Sequence, residues 1–302
     1  MIQIKSQSKE RSSPTAHPLS STERSPKHVF RANNRSDYGY NTLICFTTNL
    51  TTAGANRGIG YETAKNLLLH SAKYHVLLGS RSLSRGASAA SDLQSTPKIL
   101  GTVSPIQLDI TSDDSINAAF DFIKTTYGRL DILALNAGIF GLQPGTATSS
   151  TIRSNFTTIL STNVVSALVM TETFIPLLTN SKSLSPPRKP RIIFVSSSVG
   201  SISQAADPNS KYHHPGANEY RASKAALNML MVQYWVRLKG EGFLIHGADP
   251  GLVATDFLNR EQVKKRGAVE EWVGGERVAC VVRGERDADV GRVCGEYGVS
   301  PW

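Results

Sequence analysis

Cysteine is scarce in this 302-residue chain: Cys45, Cys280 and Cys294 are odd in number, widely spaced and without a C-x-x-C pair. That excludes a disulfide framework and a zinc knuckle, and the expected setting is reducing and cytoplasmic. Long apolar runs are missing too. None approaches the ~18–20 residues that cross a bilayer, and none near Met1 resembles a secretory signal, so no membrane association is expected. No internal repeat shows. Acidic residues are outnumbered, 24 Asp and Glu against 33 Lys and Arg, for a net charge of +9. A nucleic-acid partner is nevertheless not expected. Residues 1–42 hold seven basic and three acidic residues and so carry +4 of that charge, the remainder mixes both signs, and no nucleic-acid motif accompanies it. Metal-ligand clusters are also lacking: His213 and His214 are adjacent, cannot easily converge on one ion, and have no carboxylate or cysteine at useful spacing.

What is present is a globular composition, 40% hydrophobic and 19% charged. Residues 1–42 are rich in Ser, Arg, Lys and Pro and have no periodic apolar face, so they are expected to form a disordered tail. A targeting peptide is the rival reading, opposed by Glu10, Glu23 and three prolines that spoil an amphipathic helix. Residues 43–302 fit one catalytic domain. Apolar strand candidates fall at 43–46, 74–79, 103–108, 131–135, 191–195, 243–248 and near 292–294, with helical patterns starting near Gly58, Ser84, Asp113, Ile152 and Ala217. Before the third of these, Thr111 and Asp114 stand in a capping-box-like spacing. Strands alternating with helices imply right-handed βαβ units and a parallel sheet covered on both faces.

The motifs come in order along that frame. Gly54-Ala-Asn-Arg57-Gly58-Ile59-Gly60 follows the first strand and opens a helix. Glycines there let the backbone approach a pyrophosphate, whose charge meets the free N–H groups of the helix end. Asn136-Ala137-Gly138 ends the fourth strand and Ser196-Ser197-Ser198 the fifth; Tyr220-Arg-Ala-Ser-Lys224 opens a long helix, and Pro250-Gly251 ends the sixth strand. Tyr220 and Lys224 are four apart, on one helix face. A tyrosine of pKa ~10 is a poor proton carrier at neutral pH, and a nearby ammonium favours its phenolate.

With these five motifs the chain resembles the short-chain dehydrogenase/reductase family over roughly residues 44–302, nearest its NADPH-dependent carbonyl-reductase-like members. The resemblance implies a Rossmann-type, doubly wound α/β fold with a parallel sheet of about seven strands. It also implies hydride transfer between NADP(H) and a small carbonyl or alcohol substrate. Tyr220 is then the proton donor and acceptor, Lys224 holds the nicotinamide ribose and tunes the tyrosine, and Asn163 holds a water beside the lysine. Ser198 orients the carbonyl, with Ser196 and Ser197 as alternatives. Asp109 and Ile110 flank the adenine, Asn136, Ala137 and Gly138 support the cofactor, and Pro250, Gly251 and Thr255 close over the nicotinamide.

NADP over NAD follows from the second strand's end, which reads Gly79-Ser80-Arg81 where an NAD site usually carries Asp or Glu. Arg81 and Arg57 suit a 2′-phosphate. A rival from another class is an NADP-binding sensor or scaffold with little catalysis. The chain is expected to act as a monomer or homo-oligomer. One stretch departs from the pattern: six largely polar residues, 47–52, and then Ala53 separate LICF from the glycine loop. Either LICF is the central strand and an insertion follows, or residues 47–53 occupy the strand slot with Asn49 buried.

Overall fold

In the computed structural model, the residues described are 42–47 (backbone only), 58–141, 148–184 and 187–302. The expected tail, Gly54, Arg57 and the polar stretch after Thr47 lie outside them. The strands are β1 (Thr42–Thr47), β2 (Tyr74–Ser80), β3 (Thr102–Gln107), β4 (Ile132–Leu135), β5 (Arg191–Val195), β6 (Leu244–Ala248), β7 (Val293–Gly295) and β8 (Gly298–Val299). They form one sheet of order β3-β2-β1-β4-β5-β6-β7-β8, parallel except for the β7–β8 pair. The two-residue antiparallel β8 was not expected. LICF settles the strand-slot question: it lies between β2 and β4, with Cys45 opposite Leu77 and Leu133. Pro105 is tolerated in β3 because that strand is at the sheet's edge, where a missing N–H goes unpaired anyway.

Helices α1 (Ile59–His70), α2 (Leu83–Gln94), α3 (Asp113–Tyr127), α4 (Ser149–Leu160), α5 (Ser166–Asn180), α6 (Ile202–Ala206), α7 (Asn218–Leu238), α8 (Arg260–Lys264) and α9 (Glu271–Arg283) complete the described elements. Alternation along the strands divides the core in two. Leu77, Leu133, Ile192 and Phe194 face Ile116, Phe174, Leu227 and Met231, while Val76, Ile132, Ile193 and Val195 face Leu67, Leu68, Leu93, Val278 and Val282. Helices α3, α5 and α7 therefore cover one face, and α1, α2 and α9 the other.

One local expectation is corrected, and two features add to the sequence reading. The α3 cap is Ser112, whose side chain accepts from Ser115 N; Thr111 instead donates its N–H and hydroxyl to Asp109 Oδ1, at 2.9 and 2.7 Å. Helix α9 lies where no helix was foreseen, because Gly274 and Gly275 lower helix propensity. Those glycines serve packing: a Cβ on Gly275 would sit 2.5 Å from Glu62 Cβ on α1. Finally, α4, a π turn at Ser161–Val165 and α5 run together, and with the short turn after them form a 35-residue segment, Ser149–Ser183, apolar and long enough to cross a membrane by length and composition. In this fold Ala167, Met170, Phe174, Leu177 and Leu178 of that segment are buried in the core.

Candidate active site

All seven parallel strands deliver their C-terminal ends to one edge, and in an open sheet of this order the ligand crevice forms where the strand order reverses, between β1 and β4. Beyond β4, Asn136, Ala137 and Gly138 run into Ile139. This loop is held by Asn163, buried in the π turn between α4 and α5. Asn163 Oδ1 accepts from Ile139 N at 2.7 Å, and its Nδ2 donates to Ile139 O and Ser223 Oγ, both at 2.9 Å. Both amide hydrogens are thus spent on protein partners. Asn163 ties the β4 loop to α7. The space beside it is full, since a Cβ on Gly138 would come within 3.3 Å of Asn163 Oδ1 and 3.7 Å of Lys224 Nζ.

Helix α7 carries the tyrosine and lysine on one face. Lys224 is buried, donates from Nζ to Val195 O at the end of β5 (2.8 Å), and lies 5.5 Å from the centroid of the Tyr220 ring. Burial lowers the Lys224 pKa to about 8, against the opposing pull of the Asp249 charge. Burial, with Asp249 second, pushes the Tyr220 phenol upward from its ordinary value. The Tyr220 ring is flanked by Phe140, from the β4 loop, and Phe257, from beyond β6, with centroids 5.0 and 5.9 Å away; these two rings lie 6.2 Å apart.

The three serines beyond β5 separate by what their hydroxyls do. Ser196 donates to Asn228 Oδ1 at 2.5 Å, and Ser198 donates to an Asp249 carboxylate oxygen. Ser197 accepts from Val199 N at 3.4 Å and donates to nothing among the described residues. Ser198 is the expected carbonyl-orienting residue; its hydroxyl proton is directed to Asp249, whereas that of Ser197 has no acceptor among the described residues. The serine turn is pressed onto α7, where a Cβ on Gly200 would meet Lys224 C at 2.8 Å. Beyond β6, Gly251 adopts φ +81° and Pro250 O accepts from Arg277 Nη1 on α9 at 3.0 Å. Thr255 is buried, with Oγ1 accepting from Phe257 N at 3.3 Å.

The adenosine side of the edge is partly described. Gly58 (φ +93°) precedes α1 with no side-chain cap, and Ile59 and Gly60 form its first turn, so the helix end offers N–H groups to an anion. Arg81, just past β2, has its Nε buried without a hydrogen-bond partner among the described residues. Asp109 is engaged by Thr111, and Ile110 is buried in the core, so the pair shapes the wall beside α3. His213 and His214 are exposed, each with Nδ1 near a backbone carbonyl, and among the described residues no group of three metal-ligating side chains gathers.

Strand order and edge together define a Rossmann-type α/β fold. Residues 49–266 match the family model described as short chain dehydrogenase, and the chain belongs to that family. It is 35% identical over 257 residues to the short-chain dehydrogenase/reductase tropE of Talaromyces stipitatus, covering 80% of this chain and 92% of that one. Against the short-chain dehydrogenase/reductase eupG of a Phoma species the identity is 35% over 272 residues, covering 82% and 95%. Among solved structures it is similar in fold to the NADPH-bound carbonyl reductase from chicken fatty liver, with TM-score 0.67 and 24% identity, over 88% of this chain and 97% of that one. The NAD complex of 3-oxoacyl-[acyl-carrier protein] reductase from Brucella melitensis is likewise similar, with TM-score 0.67 and 18% identity, over 84% and 95%.

Asp249, Arg277, Phe140 and Phe257 escaped the sequence reading. Asp249 had left a signal: a carboxylate just beyond a buried strand, directly before Pro-Gly.

Proposed function

We propose that this protein is an NADP(H)-dependent carbonyl reductase acting on apolar or aromatic carbonyl compounds. The observation that carries the reading is the pairing of Tyr220 and buried Lys224 on one face of α7, against the strand ends that carry Ser197 and Gly138. A bound nicotinamide supplies the hydride that reaches the carbonyl carbon, or leaves it in the reverse direction. The phenol of Tyr220 gives its proton to the carbonyl oxygen, and its raised pKa keeps it protonated and ready for reduction. The hydroxyl of Ser197 donates to the same oxygen and stabilises the charge that develops there. Lys224 presents an ammonium toward the cofactor ribose. Asn163 keeps the Gly138 loop in register with α7, and the π turn it occupies takes a carbonyl out of the normal helical ladder, where a proton-relaying water can be held.

NADP is favoured over NAD by Arg81. The residues present fit its phosphate, because a buried guanidinium nitrogen without a partner is costly and an anion satisfies it. The chicken enzyme that shares the fold is described with NADPH, although the Brucella one is described with NAD. Substrate class follows from the rings of Phe140, Tyr220 and Phe257, which give the site an aromatic wall.

The test is NADPH oxidation at 340 nm over a panel of aldehydes and ketones, beside NADPH binding by fluorescence. Turnover is expected with aromatic carbonyls and is expected to vanish in Tyr220→Phe while NADPH affinity stays within a few-fold. NADPH binding with no turnover across the panel would favour a cofactor-binding sensor instead.

A further inference from the structure

Asp249 is the first residue beyond β6 and is buried, yet no lysine or arginine forms an ion pair with it among the described residues. A buried carboxylate without a countercharge is expensive unless donors surround it. Here they do: Oδ2 accepts the Ser198 N–H at 2.7 Å and the Ser198 hydroxyl, and Oδ1 accepts the Gly251 N–H at 2.8 Å. Its own N–H donates to Cys294 O on β7 at 2.8 Å. The Ser198 N–H belongs to the Ser197–Ser198 peptide, so the carboxylate fixes the residue whose hydroxyl is left for substrate. On its other oxygen it fixes the turn at Pro250-Gly251.

We propose, resting on the reductase reading above, that Asp249 is a positioning residue: its carboxylate clamps the serine turn beyond β5, which is pressed onto α7 at Lys224, to the Pro-Gly turn beyond β6. Around it, Tyr220 and Lys224 from α7 feel its charge, Cys294 O of β7 accepts its N–H, and Gly295 of β7 packs so close that an added Cβ would stand 3.2 Å from Asp249 Cβ; Arg277 from α9 bonds Pro250 O and pairs with Glu296 at 2.8 Å. Burial pushes the Cys294 thiol up to about 11, so it stays neutral. The carboxylate opposes loss of a proton from both Tyr220 and Lys224. Removing the charge should therefore let both deprotonate at lower pH, and both shifts move the basic limb of reduction in the same direction.

The test compares wild type with Asp249→Ala and the isosteric Asp249→Asn, which keeps the volume should the alanine variant fail to fold. An amide has one accepting oxygen, so Asn cannot serve both turns at once. The first readout needs no cofactor: hydrogen exchange at the Ser198 and Gly251 amides should quicken at least tenfold, while the β5 amides at 192–194 keep their rates. In the second, the pH above which NADPH affinity and kcat/KM for reduction fall should move down by half a unit or more. Unchanged exchange at both amides overturns the proposal. So does a basic limb that superimposes on wild type while rates drop uniformly, since a group that only packs would give that. Failure of the reductase reading itself shows separately, as a wild type that does not bind NADPH or does not turn over, and the exchange readout still decides the clamp.

Discussion

Substituting Gly200 by alanine tests whether the serine turn is seated on α7 as tightly as the structure has it. The added Cβ would stand 2.8 Å from Lys224 C and 2.9 Å from Ala225 N, and these are backbone atoms of a helix that cannot swing aside. To reach ordinary contact the turn must retreat by roughly half an ångström or more. Overpacking of this kind costs about 1–3 kcal/mol. At ~2–4 °C per kcal/mol for a domain of this size, melting should fall by about 2–12 °C. The larger effect should be on rate. The displaced turn carries Ser197, the helix carries Tyr220 and Lys224, and misplacing reacting groups by about 1 Å costs on the order of a hundredfold. Thermal melting and kcat/KM for carbonyl reduction read both effects. Gly240→Ala is the control, because a Cβ there meets nothing within 4 Å, and it should leave both unchanged. If Gly200→Ala melts and turns over within twofold of wild type, the turn does not bear on the helix and the geometry argued for Ser197 is wrong.

Ser197→Ala should lower kcat for reduction by roughly a hundredfold, in the range of lost oxyanion donors, while Ser198→Ala should cost clearly less; the reverse order would return the carbonyl-binding role to Ser198. Arg81→Asp should lower the NADPH/NADH ratio of catalytic efficiencies, and an unchanged ratio would reduce Arg81 to a surface charge. With the Lys224 pKa lowered to about 8, NADPH affinity measured by fluorescence should weaken above that pH as the ammonium is lost, and a flat profile to pH 10 would remove Lys224 from cofactor binding. The same lowered pKa has a sign for stability: between about 8 and the ordinary lysine value of ~10.4 the unfolded chain binds more protons than the folded one, so this group's contribution rises with pH.

The apolar runs at 74–79, 191–195 and 243–248, the Tyr220–Lys224 spacing and the glycine at the start of α1 were legible because each rests on local chemistry. Buried parallel strands must be apolar, a four-residue step repeats a helix face, and a helix end beside a phosphate must approach closely. Helix α9 was not legible, since Gly274 and Gly275 weaken it locally and packing against α1 and the sheet stabilises it. LICF reads as a strand in isolation, but its place between β2 and β4 is a matter of pairing.

The choice among Ser196, Ser197 and Ser198 shows where the boundary falls. In the sequence these are three adjacent hydroxyls, with Ser198 preferred only for the Val199-Gly200 that follows it, and position along the chain determines only that they end β5. Which one keeps a proton for substrate is decided by partners far away in sequence, Asn228 on α7 for the first and Asp249 beyond β6 for the third. A hydrogen bond between residues 32 or 51 positions apart forms only once the sheet has brought the strand ends to one edge. Motif order, the glycine loop and the Tyr220–Lys224 spacing are therefore written in the chain, whereas the partners of each hydroxyl belong to the packed structure.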